Sequence, residues 1–430
     1  MLTRTVKALI RWGVRVLLEN FGPIRTLFYV SNEIGFANQK ALLELLAADD
    51  RFRVGVCAES GTELVFSDHK LEALFERYCL PTGRARNMPW HYVFTTDVIR
   101  DWFVLDFVGV RLSHGSCIAN LHKSTDVWQA KVFCEPAIGI ALLAGFGNLQ
   151  WLSENKPELL NDWSKAFFVC GAPKLAELVE KSCRKNDYVN QLGLSPQHKT
   201  LLVSSHWTRM SFLRDLGAEG VRALCGRSDP INVIVTAHPK LWTLGDLDGF
   251  DGKGLLRELK AIESTFPNLR VVETGVPFEL MAAADLMVCD HSSIRVEFAR
   301  LRRPAALYRS SQFVCQSEVT DRLYRDASEV FSDTEGLDEA VSAILAPGYD
   351  KSEQSDALGQ YFVADIFGAV DTIRNVLLRC GRVSSVRSRK WARVKAFERE
   401  FVGPARTAAM AHETAPHPGG LQTEQCGECG

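Results

Sequence analysis

Ala283-Ala284-Asp285-Leu286-Met287-Val288-Cys289-Asp290-His291-Ser292-Ser293-Ile294-Arg295-Val296-Glu297-Phe298-Ala299 decides how this chain is read. Leu286 to Cys289 is an apolar strand, followed by an abrupt polar turn and then a helical pattern. Asp290, Ser292 and Ser293 stand where the first amides of that helix need partners, and each side chain is a competent N-cap. The same amides, with the positive end of the helix dipole, suit an anion, and the two hydroxyls add donors. Leu301 to Leu307 follows as a second short apolar strand, so the unit reads as βαβ. Ligands of open parallel sheets sit where strand carboxyl ends meet helix amino ends. A pocket for a phosphorylated ligand is the expectation.

Outward from this unit, strands and helical patterns alternate along most of the chain. Thr26 to Val30, Phe52 to Cys57, Tyr92 to Thr95, Trp102 to Val108 and Ala166 to Cys170 read as strands, with Phe133 to Gly147 a helix or a strand plus helix. Glu33 to Ala48 reads as a helix with Asn32 as its cap, and Leu175 to Arg184 as another. Lys185 to Lys199 is polar enough for a linker. The alternation restarts with strands at Leu201 to Ser205, Ile231 to Thr236 and Leu269 to Glu273, and helices over Ser211 to Arg227 and Arg257 to Phe266. This spacing predicts an α/β protein of two parallel-sheet halves with a cleft between them. The boundaries fall at 1–22 for a basic amphipathic helix, 23–188 and 189–380 for the two halves, and 381–430 for a basic helix followed by a disordered tail.

At 430 residues the chain suffices for two domains, and its 46% hydrophobic and 24% charged residues are those of a globular protein. A formal net charge of −2 gives no case for nucleic acid as a partner. Twelve cysteines are scattered, mostly in apolar stretches such as those around Cys57, Cys170 and Cys289, which reads as reduced thiols in a cytoplasmic protein. No apolar run reaches the ~18 residues that span a bilayer. In the first helix Arg4, Lys7, Arg11 and Arg15 share one face, and Leu2, Val6, Leu9, Val16 and Leu17 the other. Such a helix lies on a membrane interface or packs its apolar face on its own domain. Between Arg382 and Arg399 seven Arg or Lys surround Trp391, a solvated face that would also favour an anionic membrane surface.

Several residues have the chemistry of a site. His114 ends an apolar strand and precedes Gly115, which permits a sharp turn and close ligand approach. A histidine there serves as a general base or as an ordinary loop residue. His238 ends a strand before Pro239, and with Lys240 it could face a phosphate. Metal binding is not expected: Asp246-Leu247-Asp248 sits in a Gly-rich loop with Phe250 where a calcium ligand belongs, and Cys426 to Cys429 is a solitary pair. No cofactor is expected either.

The order of these features resembles the CDP-glycerol glycerophosphotransferase family, the polymerases and primases of teichoic acids and related capsule polymers. The matching residues are His114-Gly115, Gly171-Ala172-Pro173, His238-Pro239, Asp290-His291-Ser292-Ser293 with Glu297-Phe298-Ala299, and Arg303-Pro304. Phe362, Asp365, Gly368 and Ala369 match the family's last motif loosely. The resemblance covers about residues 25 to 380 and implies a GT-B fold, two Rossmann-like domains with the active site in the interdomain cleft. It implies transfer of a polyol phosphate from a CDP-activated donor to a hydroxyl of a membrane-linked or saccharide acceptor, with release of CMP. By position, His114, with Gly115 and Ser116 beside it, would deprotonate the acceptor. His238, Ser292 and Ser293 would bind the donor phosphates, Asp290 would orient the turn or its neighbouring histidine, and Glu297 would hydrogen-bond the ribose. The protein would be cytoplasmic, peripheral on the inner face of the membrane. His291 departs from the family's tyrosine and Ser116 from its threonine. Lys123 is the nearest lysine after His114, and Ser205-His206-Trp207-Thr208 replaces Ala-Pro-Thr-Trp. A glycosyltransferase or a UDP-sugar 2-epimerase on the same fold is the alternative, with a non-catalytic binding domain as a third reading.

Overall fold

The computed structural model describes residues 4–66, 68–112, 134–243, 249–274, 277–315 and 317–413. Strands β1 (Ile24–Val30), β2 (Phe52–Ala58), β3 (Tyr92–Thr95), β4 (Val108–Leu112), β5 (Ile138–Leu143) and β6 (Ala166–Val169) form one sheet. Its order is β2-β1-β3-β4-β5-β6 and every pairing is parallel. Strands β7 (Lys199–Ser205), β8 (Ile231–Ala237), β9 (Leu269–Val271), β10 (Leu286–Cys289), β11 (Ala305–Tyr308) and β12 (Glu329–Phe331) form the second, in the order β12-β11-β10-β7-β8-β9, again all parallel. Nearly every residue of β3 to β8, β10 and β11 is buried, as strands covered by helices on both faces must be. The strand order reverses between β1 and β3 in the first sheet and between β7 and β10 in the second, the two crevices where such sheets hold ligands.

The expected alternation holds, with local differences. Asn32 caps the helix Glu33–Ala47, its Oδ1 accepting from Gly35 N at 2.7 Å. Trp102 to Val108 is not a strand: Trp102 is exposed and β4 starts only at Val108, because the apolar side chains there are spread along a turn and do not alternate against a neighbour. The strand after the decisive turn begins at Ala305, the chain from Leu301 being a turn with Arg302 at φ 57°. The linker carries a helix, Lys185–Gln191.

The last part of the chain returns to the first half. Ser352–Phe362 packs on the helix Ile294–Ala299, and Ala369–Cys380 then packs on Glu33–Ala47. Ile373, Val376 and Leu377 therefore share a core with Phe36 and Leu42, so the second half gives way to the first before residue 380. At the crossing, Ala172 N donates to Asp365 O at 3.0 Å and Ala364 N to Ala144 O at 2.9 Å. Gly171 has φ 89°, and a Cβ there would lie 2.2 Å from Asp365 O, which explains the glycine of Gly171-Ala172-Pro173. Asp365 Oδ1 accepts from Gly368 N at 3.1 Å, and Phe362 is core.

The basic segment is solvated on one side only: Arg387, Arg389, Arg393 and Arg399 are exposed, while the opposite side is enclosed. Trp391 is fully buried and donates Nε1 to Trp163 O at 2.7 Å. Lys395 pairs with Glu398, whose Oε1 accepts from Phe167 N at 2.8 Å, so the helix Trp391–Glu413 seals the β6 edge. That helix runs to Glu413, into the stretch from which a disordered tail was expected. The first helix, Arg4–Asn20, is pinned at its end: Leu18 is buried, and the Glu19 carboxylate accepts from the Ser384 and Ser388 hydroxyls at 3.0 and 2.9 Å. Trp12, Val16, Leu17 and Phe21 face solvent.

His91 ties that helix to the sheet. Its Nδ1 accepts from Arg25 N at 2.9 Å, so the neutral ring donates Nε2–H to Leu18 O, also 2.9 Å away. Burial, above all, pushes its pKa down to about 4. The unfolded chain therefore takes up this proton near pH 6.5 and the folded chain only near pH 4. Stability contributed by neutral His91 is present above pH 6.5 and is lost as pH falls toward 4, up to about 3 kcal/mol. Unfolding free energies across this window should slope less steeply in His91→Asn than in the natural protein; identical slopes would show that His91 is not the titrating group.

Candidate functional site

Strands β7 and β10 lie side by side, Cys289 opposite Ser204, so the turns leaving them meet at the second sheet's reversal point. The Asp290 carboxylate joins the two turns. Its Oδ2 accepts from the Ser205 hydroxyl at 2.8 Å, from His206 N at 2.8 Å and from Phe212 N at 3.2 Å, and its Oδ1 from Ser292 N at 3.2 Å. The Ser205 oxygen in turn accepts from Leu213 N at 3.1 Å. With its side chain wholly enclosed, Asp290 lies behind the residues lining the cleft and shapes the turn.

The cleft opens between the two halves. Ile34, Ala37 and Asn38 of the helix after β1, and Lys174 after β6, form one wall. Ser204, Ser205, Thr236, His238, Ser292, Ser293 and Glu297 form the other, with Thr274, Pro277 and Phe278 at one end. His238 Nδ1 accepts from Lys240 N at 3.2 Å, which leaves Nε2 as the donor of the neutral ring. Ser292 and Ser293 do not cap the helix Ile294–Ala299. Ser293 is itself helical (φ −58°, ψ −18°), so its hydroxyl cannot reach back to the amides, and both serines face the cleft. Lys240 sits outside the lining, its ammonium 4.9 Å from the Trp207 ring centre.

Three histidines cluster around the β7 turn. Ring centres are 5.2 Å apart for His206 and His291 and 5.7 Å for His206 and His238, and His291 stacks on Phe313 at 4.9 Å. The Thr208 hydroxyl bridges His206 Nδ1 at 3.1 Å and His291 Nε2 at 3.0 Å. Since Thr208 N also approaches His206 Nδ1, at 3.3 Å, that nitrogen is the acceptor and His291 donates to the hydroxyl. Burial, then the neighbouring His291, His238 and Lys240, hold the pKa of His206 well below the ordinary value, so it is neutral at physiological pH. Among the described residues no group of three or more His, Cys, Asp or Glu is arranged to hold a metal.

Of the residues singled out from sequence, His238, Ser292, Ser293 and Glu297 come together in the cleft, and Asp290 supports them. His114, Gly115, Ser116, Asp246, Asp248 and the Cys426 to Cys429 pair lie outside the described residues. Sequence reading overlooked Asn38, Thr236 and Lys174; the one available signal was that Lys174 directly follows the Gly171-Ala172-Pro173 turn.

No protein-family model matches the chain, and no curated relative matches it in sequence. Solved structures do match in fold. The S. aureus MnaA–UDP co-structure superposes with a TM-score of 0.53 at 11% identity, over 83% of this chain and 95% of that one. A putative UDP-N-acetylglucosamine 2-epimerase from Listeria monocytogenes gives 0.52 at 14%, over 82% and 95%. The wall teichoic acid polymerase TagF gives 0.50 at 12%, over 86% and 96%. The chain thus has a two-domain GT-B-like fold, each half a six-stranded parallel sheet with helices.

Removing the carboxylate that joins the two turns strands four buried or half-buried donors at once. Asp290→Ala should cost about 3 kcal/mol in denaturant unfolding. A loss below about 1 kcal/mol would mean that the turns hold their shape without it.

Proposed function

We propose that the protein is an enzyme that transfers a polyol phosphate from a CDP-activated donor to a hydroxyl acceptor in the synthesis of a surface polysaccharide or teichoic-acid-like polymer. The observation that carries this reading is the convergence of His238, Ser292, Ser293 and Glu297 on one wall of the cleft, in the family's order along the chain. Donors there face the developing charge of a transferring phosphoryl group, which is where catalysis of this reaction is made. His238 Nε2–H and the two hydroxyls would bind the diphosphate, and Glu297 would accept from the ribose. The acceptor hydroxyl attacks the phosphorus bearing the polyol and the bond to the bridging oxygen breaks. CMP leaves with that electron pair, and His114 takes the hydroxyl proton. Leu112, two residues before His114, ends β4 at the carboxyl edge of the first sheet, the edge from which Ile34 and Lys174 reach the cleft.

The epimerase reading is less well supported. Such chemistry needs carboxylates beside the sugar, and among the described residues lining the cleft Glu297 is the one carboxylate, already paired with Lys174. A nucleotide panel tests the donor. At saturating ligand CDP should raise the melting temperature by several degrees, more than UDP or GDP, and His238→Ala should abolish most of the shift. Equal shifts for the three nucleotides, or none with CDP, would exclude a CDP-linked donor. Turnover that survives His114→Ala intact would exclude His114 as the base.

The proposed place of work is the cytoplasmic face of a membrane. Among the described residues no helix is long and apolar enough to cross a bilayer. The first helix presents Trp12 (64% exposed) and Leu17 (62%) to solvent, and Phe21 (69%) follows just after it, as the apolar side of an interfacial helix would. Replacing these three with serine should reduce sedimentation with anionic vesicles by tenfold or more, since each buried aromatic or leucine side chain contributes roughly 1.5–3 kcal/mol. Unchanged sedimentation would leave the helix a purely structural element.

A further inference from the structure

The helices that join the two halves, Lys174–Ser182 and Lys185–Gln191, carry three lysines that reach carboxylates of the second half. Lys181 pairs with Glu279, and Lys185 Nζ lies 2.6 Å from both oxygens of Asp285, whose Oδ2 also accepts from Thr200 N at 2.8 Å. These two pairs lie at the junction of the halves and line no part of the cleft. The third pair is different: Lys174 Nζ is 2.6 Å from Glu297 Oε1, both side chains are largely enclosed (14% and 7% exposed), and both line the cleft.

A carboxylate at that point raises a physical difficulty. Glu297 shares the wall with Ser292, Ser293 and His238, the groups that would bind a diphosphate. In a partly enclosed site an uncompensated carboxylate repels that ligand, and its side chain has several rotamers from which to choose. An ammonium 2.6 Å away answers both problems. It offsets the charge, and it holds one carboxylate oxygen while the group keeps acceptor capacity for hydroxyls.

We propose that Lys174, from the first half, is the positioning residue for the nucleotide's ribose. It holds Glu297, on the second half, in the orientation that accepts the ribose hydroxyls. The inference rests on the reading of the cleft as a nucleotide site given above. It adds that the nucleotide is recognised only when the two halves are together, because the carboxylate reading the sugar is aligned from across the cleft. Lys174 touches Glu297 and acts on the ligand through it.

Calorimetric titration of the full chain with CDP and with 2′,3′-dideoxy-CDP tests this. The natural protein should bind CDP about tenfold more tightly than the dideoxy analogue, as hydrogen bonds to a charged acceptor typically provide. Glu297→Gln should narrow that ratio to about two or less. Lys174→Met should narrow it equally by weakening CDP, whereas Lys174→Arg should keep most of it and Lys181→Met all of it. A merely structural lysine would weaken both ligands alike and leave the ratio unchanged. Lys174→Met retaining the full ratio while Glu297→Gln loses it would overturn the role of Lys174 and leave the ribose reading standing. Lys181→Met narrowing the ratio as Lys174→Met does would also overturn it, by showing a general loosening of the junction. A ratio near one in the natural protein, or one untouched by Glu297→Gln, would instead overturn the ribose reading itself. Should Lys174→Met fail to fold, Lys174→Gln replaces it in the same comparison.

Discussion

The cleft depends on one enclosed carboxylate. Asp290 gathers donors from the turn after β7, from the segment entering Phe212 and from its own turn after β10. Neighbouring strands of a parallel sheet diverge once their ladder ends, and each turn leaves amides that need partners. A charged acceptor with two oxygens can satisfy several of them at once, more strongly than a neutral group. The position of Ser292 and Ser293 in the cleft follows from this: with the turn held by Asp290, the hydroxyls need not cap the helix and can face a ligand.

A second constraint is the return of the chain. The segment from Ser352 to Glu413 leaves the second half, crosses at Phe362 to Gly368 and ends on the first. The crossing is tight enough that Gly171 must lack a side chain, and a single apolar core runs from Trp151 and Phe167 of the first half to Met287 and Phe298 of the second. Ionic pairs from Lys174, Lys181 and Lys185 join the same two bodies. The halves meet along a packed seam, with the cleft as the open part of it.

Much of this was legible in the chain. Short apolar runs such as Leu286 to Cys289, bounded by turn residues, read as strands buried on both faces, and the Asn32 cap and β3 emerged from residue type alone. The reading failed where a local pattern had two tertiary uses. Trp102 to Val108 is as apolar as a strand yet finds no ladder partner until Val108. From Arg382 to Arg399 the arginines at 387, 389, 393 and 399 are exposed as expected, but the same segment also encloses Trp391 and Lys395 against β6. Ser292 and Ser293 have capping chemistry, but the helical backbone at Ser293 denies them that geometry.

By itself, then, the sequence determined the class of fold and the identity of most residues on one wall of the cleft. Strand burial is written in runs of neighbouring residues, and the polar groups of that wall lie within a few positions of strand ends. Tertiary structure alone decided the opposite wall and the roles of the supporting groups. Lys174 and Glu297 are more than a hundred positions apart, and His206, His238 and His291 come from three different turns, so no local pattern records their proximity. Only the packing of the two halves brings a lysine from one to the carboxylate of the other.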